Sequence, residues 1–400
     1  MNTNTTKIPV RFALMLAAFS TLWPLSFDMY LPAFPEMMRF FHTDASTIQA
    51  SLTSCLIGLA LGQIVMGSLS DVYGRRRPLM IAMTLYILAS IGCAFAPNML
   101  IFIAFRFIQG FAVAAGTVSN AIVRDSFSGV ELTKFYSLLA MIGNVAPLLA
   151  PIAGSVVISF APWKGLFLLL ALQGIFLFIV AKWGLKETLP AERRVSGNFM
   201  VILRNFKALL QDRMFMGYAL TQGFLFTGIF AYISGTSFIY QNIYGVSPGV
   251  FSLLFAMNGI ALFLGAQLVK RLAGRVAGRR IHQIGLTSAF ITSTAVLIVV
   301  LSHGSLLALV IPLLLFISSF GVSGAAAFPL AMESQGHIAG SAAALLGVIP
   351  FIFGAVTSPL VGIAGEHSAV PFGIILFTAS LLAIISYIGL TKPAKRTDFL

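Results

Sequence analysis

Charge is what this 400-residue sequence has least of: only 9% of it is Asp, Glu, Lys or Arg, where a soluble domain carries about 25%. Paired with 58% hydrophobic residues and a mean hydropathy of +0.96, that scarcity excludes an ordinary water-soluble protein and calls for a bilayer. Acids are rarer than bases, 12 against 25. The resulting net charge of +13 implies no nucleic acid partner, because the basic residues gather in short stretches between apolar runs, as topology signals do. Cysteine is nearly absent. Cys55 and Cys93 lie inside apolar runs without metal-ligand spacing, so they read as buried thiols, and neither a disulfide framework nor a metal site is expected. No Gly-x-x-x-x-Gly-Lys-Ser/Thr phosphate loop occurs, which argues against ATP hydrolysis and leaves no cofactor to predict. The five histidines, His42, His282, His303, His337 and His367, stand at segment ends and read as solvated interface residues. Without a His/Asp or Ser/His cluster the chain is not read as an enzyme, and no catalytic residue is assigned.

Long apolar runs are what the sequence has instead. A helix of about 20 residues crosses about 30 Å of hydrocarbon. Twelve runs have that length, approximately 11–35, 46–69, 78–96, 99–122, 134–160, 164–184, 214–240, 248–270, 281–302, 305–330, 338–364 and 369–391. The predicted fold class is an all-α integral membrane protein with twelve transmembrane helices, since continuous runs are not the short alternating strands of a membrane barrel. Lys7 and Arg11 before the first run imitate a secretory signal, yet no small-residue cleavage site follows and the run leads into Asp28; it is expected to be a retained span. With the N-terminus inside, the outer loops hold only Arg39 and Lys164, while Arg75 to Arg77, the stretch 186–213, Lys270 to Arg280 and Lys392 to Arg396 fall inside. That asymmetry predicts both termini in the cytoplasm of a multi-pass protein of the cell (inner or plasma) membrane.

The polar stretch 186–213 divides the chain into two six-helix halves, 1–185 and 214–400. An offset of about 204 residues relates them: Gly74-Arg75-Arg76 recurs as Gly278-Arg279-Arg280, and Gly143 with Pro147 recurs as Gly347 with Pro350. The repeat is degenerate, because Arg275 stands where an equivalent of Asp71 would fall. Parallel halves are a transporter architecture, with substrate bound between them near the midplane.

The stretch Gly67-Ser68-Leu69-Ser70-Asp71-Val72-Tyr73-Gly74-Arg75-Arg76-Arg77-Pro78 reads as a short charged turn between two apolar runs, placed at a membrane surface because its arginines cannot be left in hydrocarbon. Within it, Gly67-x-Leu69-Ser70-Asp71-x-x-Gly74-Arg75-Arg76 resembles the signature loop between the second and third helices of the major facilitator superfamily. The twelve-span, two-half plan resembles that fold over the whole chain. Asp28-Met29-Tyr30-Leu31-Pro32-Ala33-x-Pro35, Arg106-x-x-Gln109-Gly110, Gly143-x-x-x-Pro147-x-x-x-Pro151-x-x-Gly154 and Ala339-Gly340-Ser341-Ala342 are similar to the Bcr/CflA (bicyclomycin and multidrug resistance) branch of the drug:proton antiporters. The resemblance implies that Gly67, Asp71, Gly74, Arg75 and Arg76 form a gating motif, a cytoplasmic latch holding the outward-open state. It also makes Gly143, Pro147, Pro151 and Gly154 the antiporter motif; the residues themselves allow either a bent helix packed through its glycines or a bend that repacks during transport.

Asp28 is the only carboxylate well inside an apolar run. If the first span ends near Glu36, eight helical residues put Asp28 about 12 Å below the outer surface, and Arg106, eight residues beyond Asn98, reaches about the same depth. The two can share a layer, where each charge needs the other or water. The pair is compatible with a fixed ion bridge or with proton coupling, and the resemblance implies the second. Gln109, Asn144 and Asn258, with Asn120, either hydrogen-bond substrate or pack against neighbouring helices. Tyr30 and Tyr232, the latter at the repeat position of Asp28, either line an aromatic substrate pocket or face helices and lipid. Together these features describe a proton-coupled secondary exporter of amphipathic small molecules or drugs, working by alternating access as a monomer, with substrate, protons and the lipid bilayer as partners. A proton-coupled metabolite exporter or nutrient symporter on the same fold is the alternative. A multi-span membrane enzyme or a passive channel would be other classes, and the scattered histidines give the enzyme no catalytic cluster.

Overall fold

The computed structural model describes residues 10–127, 129–190, 194, 199–272, 274–333, 335 and 338–391, and among them regular structure is entirely helical. They fall into two compact units, one from the described residues of 1–33 and 54–197, the other from those of 34–53 and 198–400.

The first predicted span is not one helix. α1 (Val10–Ser20) stops at Thr21, α2 (Leu22–Asp28) follows, and after Met29 and Tyr30 come a 3-10 turn (Leu31–Ala33) and α3 (Phe34–Phe41). Proline explains much of this, because Pro24, Pro32 and Pro35 bring no N–H to a helical ladder. Asp28 is therefore the last residue of a short helix at a break in the span. α4 (Ala45–Tyr73) is long and regular, and α5 (Arg76–Ala94) starts almost at once. The turn predicted over Gly67 to Pro78 shrinks accordingly to Gly74 and Arg75. Gly74 has φ +88°, the left-handed conformation with which glycine commonly ends a helix. α6 (Met99–Val113) begins under an Asn98 cap whose side chain accepts from the Ile101 N–H, and α7 (Ala115–Ser126) continues it after a one-residue offset. α8 (Gly129–Ile158) carries Pro147 and Pro151 in its interior, and α9 (Lys164–Gly184) closes the unit. Small residues bring these helices together. A Cβ on Gly110 would lie 2.0 Å from the Cys55 carbonyl oxygen, so α4 and α6 meet backbone to backbone. Phe102, Trp163 and Phe167 interlock edge to face, with centroids 5.2 to 6.0 Å apart, an arrangement worth about 0.5–1.5 kcal/mol per pair beyond burial.

The second unit contains α10 (Phe199–Gln211), α11 (Arg213–Phe238) with a terminal π-helical turn (Ile239–Ile243), α12 (Pro248–Leu272), α13 (Gly278–Leu301), α14 (Leu306–Met332), α15 (Ala339–Val361) and α16 (Val370–Leu390). Asp212 caps α11: one carboxylate oxygen accepts the N–H groups of Met214 and Phe215 at 2.9 and 3.0 Å, and the other accepts from Gln335 at 2.6 Å. The start of α4, Ala45 to Thr53, belongs to this unit. Ser46, Gln49 and Thr53 there donate to the carbonyls of Pro359, Ser234 and Ala355 at 2.9, 3.1 and 2.9 Å. His282 departs from its sequence reading. Instead of lying solvated at an interface it is buried, with Nδ1 3.0 Å from Ser323 Oγ and its ring between those of Tyr218 and Tyr387. The first turn of α13 faces its neighbours α14 and α16, which hydropathy at a segment end does not reveal.

Ten helices among the described residues are long and apolar enough to cross a membrane. The first predicted span is absent from that set because it is broken. The fifth falls on α8, where a shorter apolar segment, Val145–Ile158, qualifies among the described residues.

Candidate functional site

The break after α2 leaves Asp28 buried in the first unit. The residue is 3% exposed, in an environment where an isolated carboxylate is expensive to ionise. Its neighbour Met29 is pressed on by α8: a Cβ on Gly154 would sit 1.9 Å from the Met29 carbonyl oxygen. The last glycine of the predicted antiporter motif is thus the point at which α8 touches the backbone of the acid's own segment. Pro147 and Pro151 lie within the same helix, as does the backbone of Gly143. The side chain of Asn144 lies outside the described residues.

Arg106 is fully buried on α6. Depth along the helix predicts a layer shared with Asp28, where each charge needs the other or water. The structure brings Arg106 to the same segment by a different contact: its Nη1 donates to the carbonyl of Ser26 at 3.0 Å and to the side-chain oxygen of Gln109. Among the described residues Asp28 forms no ion pair. The Tyr30 ring lies 4.4 Å from the guanidinium carbon, within cation–π range, and meets Phe167 edge-on at 5.7 Å. Tyr30, Arg106 and Gln109 are therefore held together by amide, carbonyl and ring contacts, and they meet the segment of Asp28 through the Ser26 carbonyl. Sequence reasoning missed Ser26, Tyr86 and Ser90, which complete the polar network. Ser26 Oγ and the Tyr86 hydroxyl are 2.8 Å apart, and Gln109 Nε2 donates to Ser90 Oγ at 2.8 Å. Serine and tyrosine in apolar runs carry no signal of their own.

The other two substrate candidates belong to the second unit. Tyr232 stacks on Phe255 at 5.1 Å and reaches the Phe255 carbonyl at 3.4 Å. Asn258 is buried and donates to the Leu254 carbonyl of its own helix at 2.9 Å.

At the junction of α4 and α5, Asp71 and Arg75 of the predicted gating motif join Asp125 in an ionic cluster. Arg75 is buried, donating to Asp71 at 2.6 Å, to Ser70 Oγ at 2.8 Å and to Asp125 at 2.7 Å. Burial works against its charge, but the Asp125 and Asp71 carboxylates outweigh that and raise its pKa above the ordinary arginine value. Arg76 donates to the Lys182 carbonyl at 2.6 Å. Gly67 lies within α4 with open space where a Cβ would stand, so nothing in its surroundings requires glycine. Glu187, absent from the sequence reading, is the hub: its carboxylate accepts the N–H groups of Arg75, Arg76 and Leu189 at 2.8, 3.2 and 3.0 Å. Burial pushes its carboxyl up, yet those N–H groups and the Arg194 charge prevail and hold its pKa below the usual glutamate value. An acid at the free N–H groups that open a helix also satisfies the helix dipole. Asp125 and Glu187 lie 50 and more than 100 residues from Arg75 along the chain, a distance that no local motif spans.

A helical multi-pass membrane protein, with a broken N-terminal helical segment carrying a buried acid and an ionic cluster at the end of α4, has the features of a membrane transporter. The chain belongs to the Major Facilitator Superfamily, whose family model matches residues 14–347. It is 45% identical over 391 residues to the MFS-type transporter YdgK of Bacillus subtilis, covering 97% of each chain. It is 29% identical over 390 residues to a bicyclomycin resistance protein homolog of Haemophilus influenzae, covering 97% of this chain and 98% of that one. The xylose transporter XylE of E. coli, in a partially occluded inward-open conformation, shares the fold with a TM-score of 0.73 at 15% identity, over 98% of this chain and 99% of the other. The resemblance to the Bcr/CflA drug:proton antiporters agrees with the match to the bicyclomycin resistance protein homolog.

Proposed function

We propose that the chain is a proton-coupled exporter of amphipathic small molecules, drugs included, operating by alternating access on twelve spans in two halves, 1–185 and 214–400, joined by 186–213. The observation that carries this reading is the Asp28 carboxyl, buried at a helix break and unpaired with Arg106. A carboxyl already tied to a guanidinium would stay ionised through a cycle, whereas one in an apolar setting with a cation nearby can exchange protons as its access alternates. Arg106, held by Gln109 and Tyr30, brings a positive charge to the Asp28 segment at the Ser26 carbonyl, and α8, with Pro147 and Pro151 in its interior and Gly154 against Met29, transmits rearrangement to that segment. Tyr30, Gln109, Asn144, Tyr232 and Asn258 supply contacts to substrate. The cluster of Asp71, Gly74, Arg75 and Arg76 closes the cytoplasmic side. The basic-residue asymmetry supports cytoplasmic termini in the inner or plasma membrane, and one chain contains every element named, so the working unit is a monomer. Drug resistance is the property named for the Haemophilus relative, and it comes to this chain as part of the proposal.

The test is a susceptibility and efflux panel in a pump-deficient host, comparing wild type with Asp28→Asn. Export of amphipathic drugs by the wild type, lost in the variant at equal membrane abundance, is the expected result. Export that persists in Asp28→Asn after the proton gradient is collapsed would overturn it.

A further inference from the structure

We infer that Ser90, on α5, is a positioning residue that acts through Gln109 to hold the Arg106 guanidinium beside the Asp28 segment; this deepens the proposed proton-coupled export and rests on it. Hydrogen-bond direction fixes the arrangement. A serine hydroxyl has one proton, and Ser90 spends it on the Tyr86 carbonyl, 2.7 Å away and one turn back on the same helix. Toward Gln109 it can only accept, so the amide must present its NH2 group to Ser90, as it does at 2.8 Å. An arginine has no acceptor at all, so the other end of the amide must present its oxygen to Arg106, as it does. Both ends demand the same orientation, and the chain from Arg106 through Gln109 and Ser90 to the Tyr86 carbonyl runs one way.

The Tyr86 side chain completes the frame. Its hydroxyl lies 2.8 Å from Ser26 Oγ, and the Ser26 carbonyl is the second acceptor of Arg106 Nη1. Its ring is backed by α9, where a Cβ on Gly174 would come within 2.8 Å of it. Ser26, Tyr86, Ser90, Arg106 and Gln109 are all 0% exposed, so no solvent replaces a lost partner. Removing the Ser90 hydroxyl leaves the Gln109 NH2 group without its acceptor, so the amide is fixed at one end only and its hold on Arg106 loosens.

The experiment is a double-mutant cycle in the full chain reconstituted in proteoliposomes, with ethidium efflux driven by an imposed pH gradient, beside spectra of the purified protein carrying isotope-labelled arginine. Ser90→Ala is expected to slow efflux about tenfold, the scale of a buried hydrogen bond lost with its partner left unsatisfied. In a Gln109→Ala background the same change has no further effect, because Ser90 acts only through that amide. The slowly rotating guanidinium signal of Arg106, assigned by its loss in Arg106→Lys, is sharp in the wild type and averaged in Ser90→Ala. Wild-type efflux in Ser90→Ala, additive losses in the double variant, or an unchanged Arg106 signal would each overturn the inference. If the wild type shows no proton-driven efflux, the functional proposal falls, and the arginine signal still decides the positioning role.

Discussion

Gly154→Ala adds a single methyl group at the point where α8 meets the Asp28 segment, and the structure sets its consequence. The new Cβ would lie 1.9 Å from the Met29 carbonyl oxygen, 2.9 Å from its carbon and 3.4 Å from its Cα. All three atoms are backbone, so no side-chain rotation relieves the clash. A close carbon–oxygen contact sits at about 3.3 Å, so the helices must part by about 1.4 Å at this point. Overpacking of this kind costs about 1–3 kcal/mol, equivalent to a population shift of about 5- to 150-fold between two packings of the segment. Two measurements follow. Cys55 and Cys93 are free and buried, so thiol labelling during heating reports unfolding, and Gly154→Ala should unfold several degrees below the wild type. Efflux should fall by at least tenfold while membrane insertion is retained. A variant that matches the wild type in both would refute the claim that α8 bears on the acid through this contact.

Gly74→Ala should also destabilise, by about 1–2 kcal/mol for a left-handed alanine, with its Cβ forced to 2.5 Å from Glu187 Oε2; the thiol melt reads this, and an unchanged melt would show that the turn relaxes freely. Glu187→Gln weakens the cap on α5 by about 1 kcal/mol at neutral pH. Because the folded pKa of Glu187 is depressed, its stabilisation is present above the ordinary glutamate value of about 4.3 and is lost as pH falls through the lower folded value. The wild-type and Glu187→Gln melts should therefore differ at pH 7 and converge below about pH 4; a gap that widens in acid would reverse the assignment.

Ten of the twelve predicted spans fall on helices long and apolar enough to cross a membrane, because apolar length is a direct consequence of bilayer thickness. Gly74 was legible as a turn for a similarly local reason. The interruption of the first span was harder to see, since prolines such as Pro24 and Pro32 are tolerated within membrane helices and only neighbouring contacts decide whether the chain bends or breaks. Depth along a helix placed Asp28 and Arg106 at similar levels but carried no information on rotation, and rotation is what sends Arg106 to the Ser26 carbonyl and Gln109. Glu187 stood in the polar stretch that read as the connection between the two halves, and its role emerges only when the chain folds it back onto Arg75 and Arg76. His282 shows the same limit: its position at a segment end suggested water, and packing against Tyr218 and Tyr387 put it in the interior. His337 lies outside the described residues.

The most direct measurement is proton release from purified protein in weakly buffered detergent solution when ethidium is added. Wild type should release protons as substrate competes with the protonated Asp28, and Asp28→Asn should release none. Equal release from the two proteins would contradict the central role of Asp28.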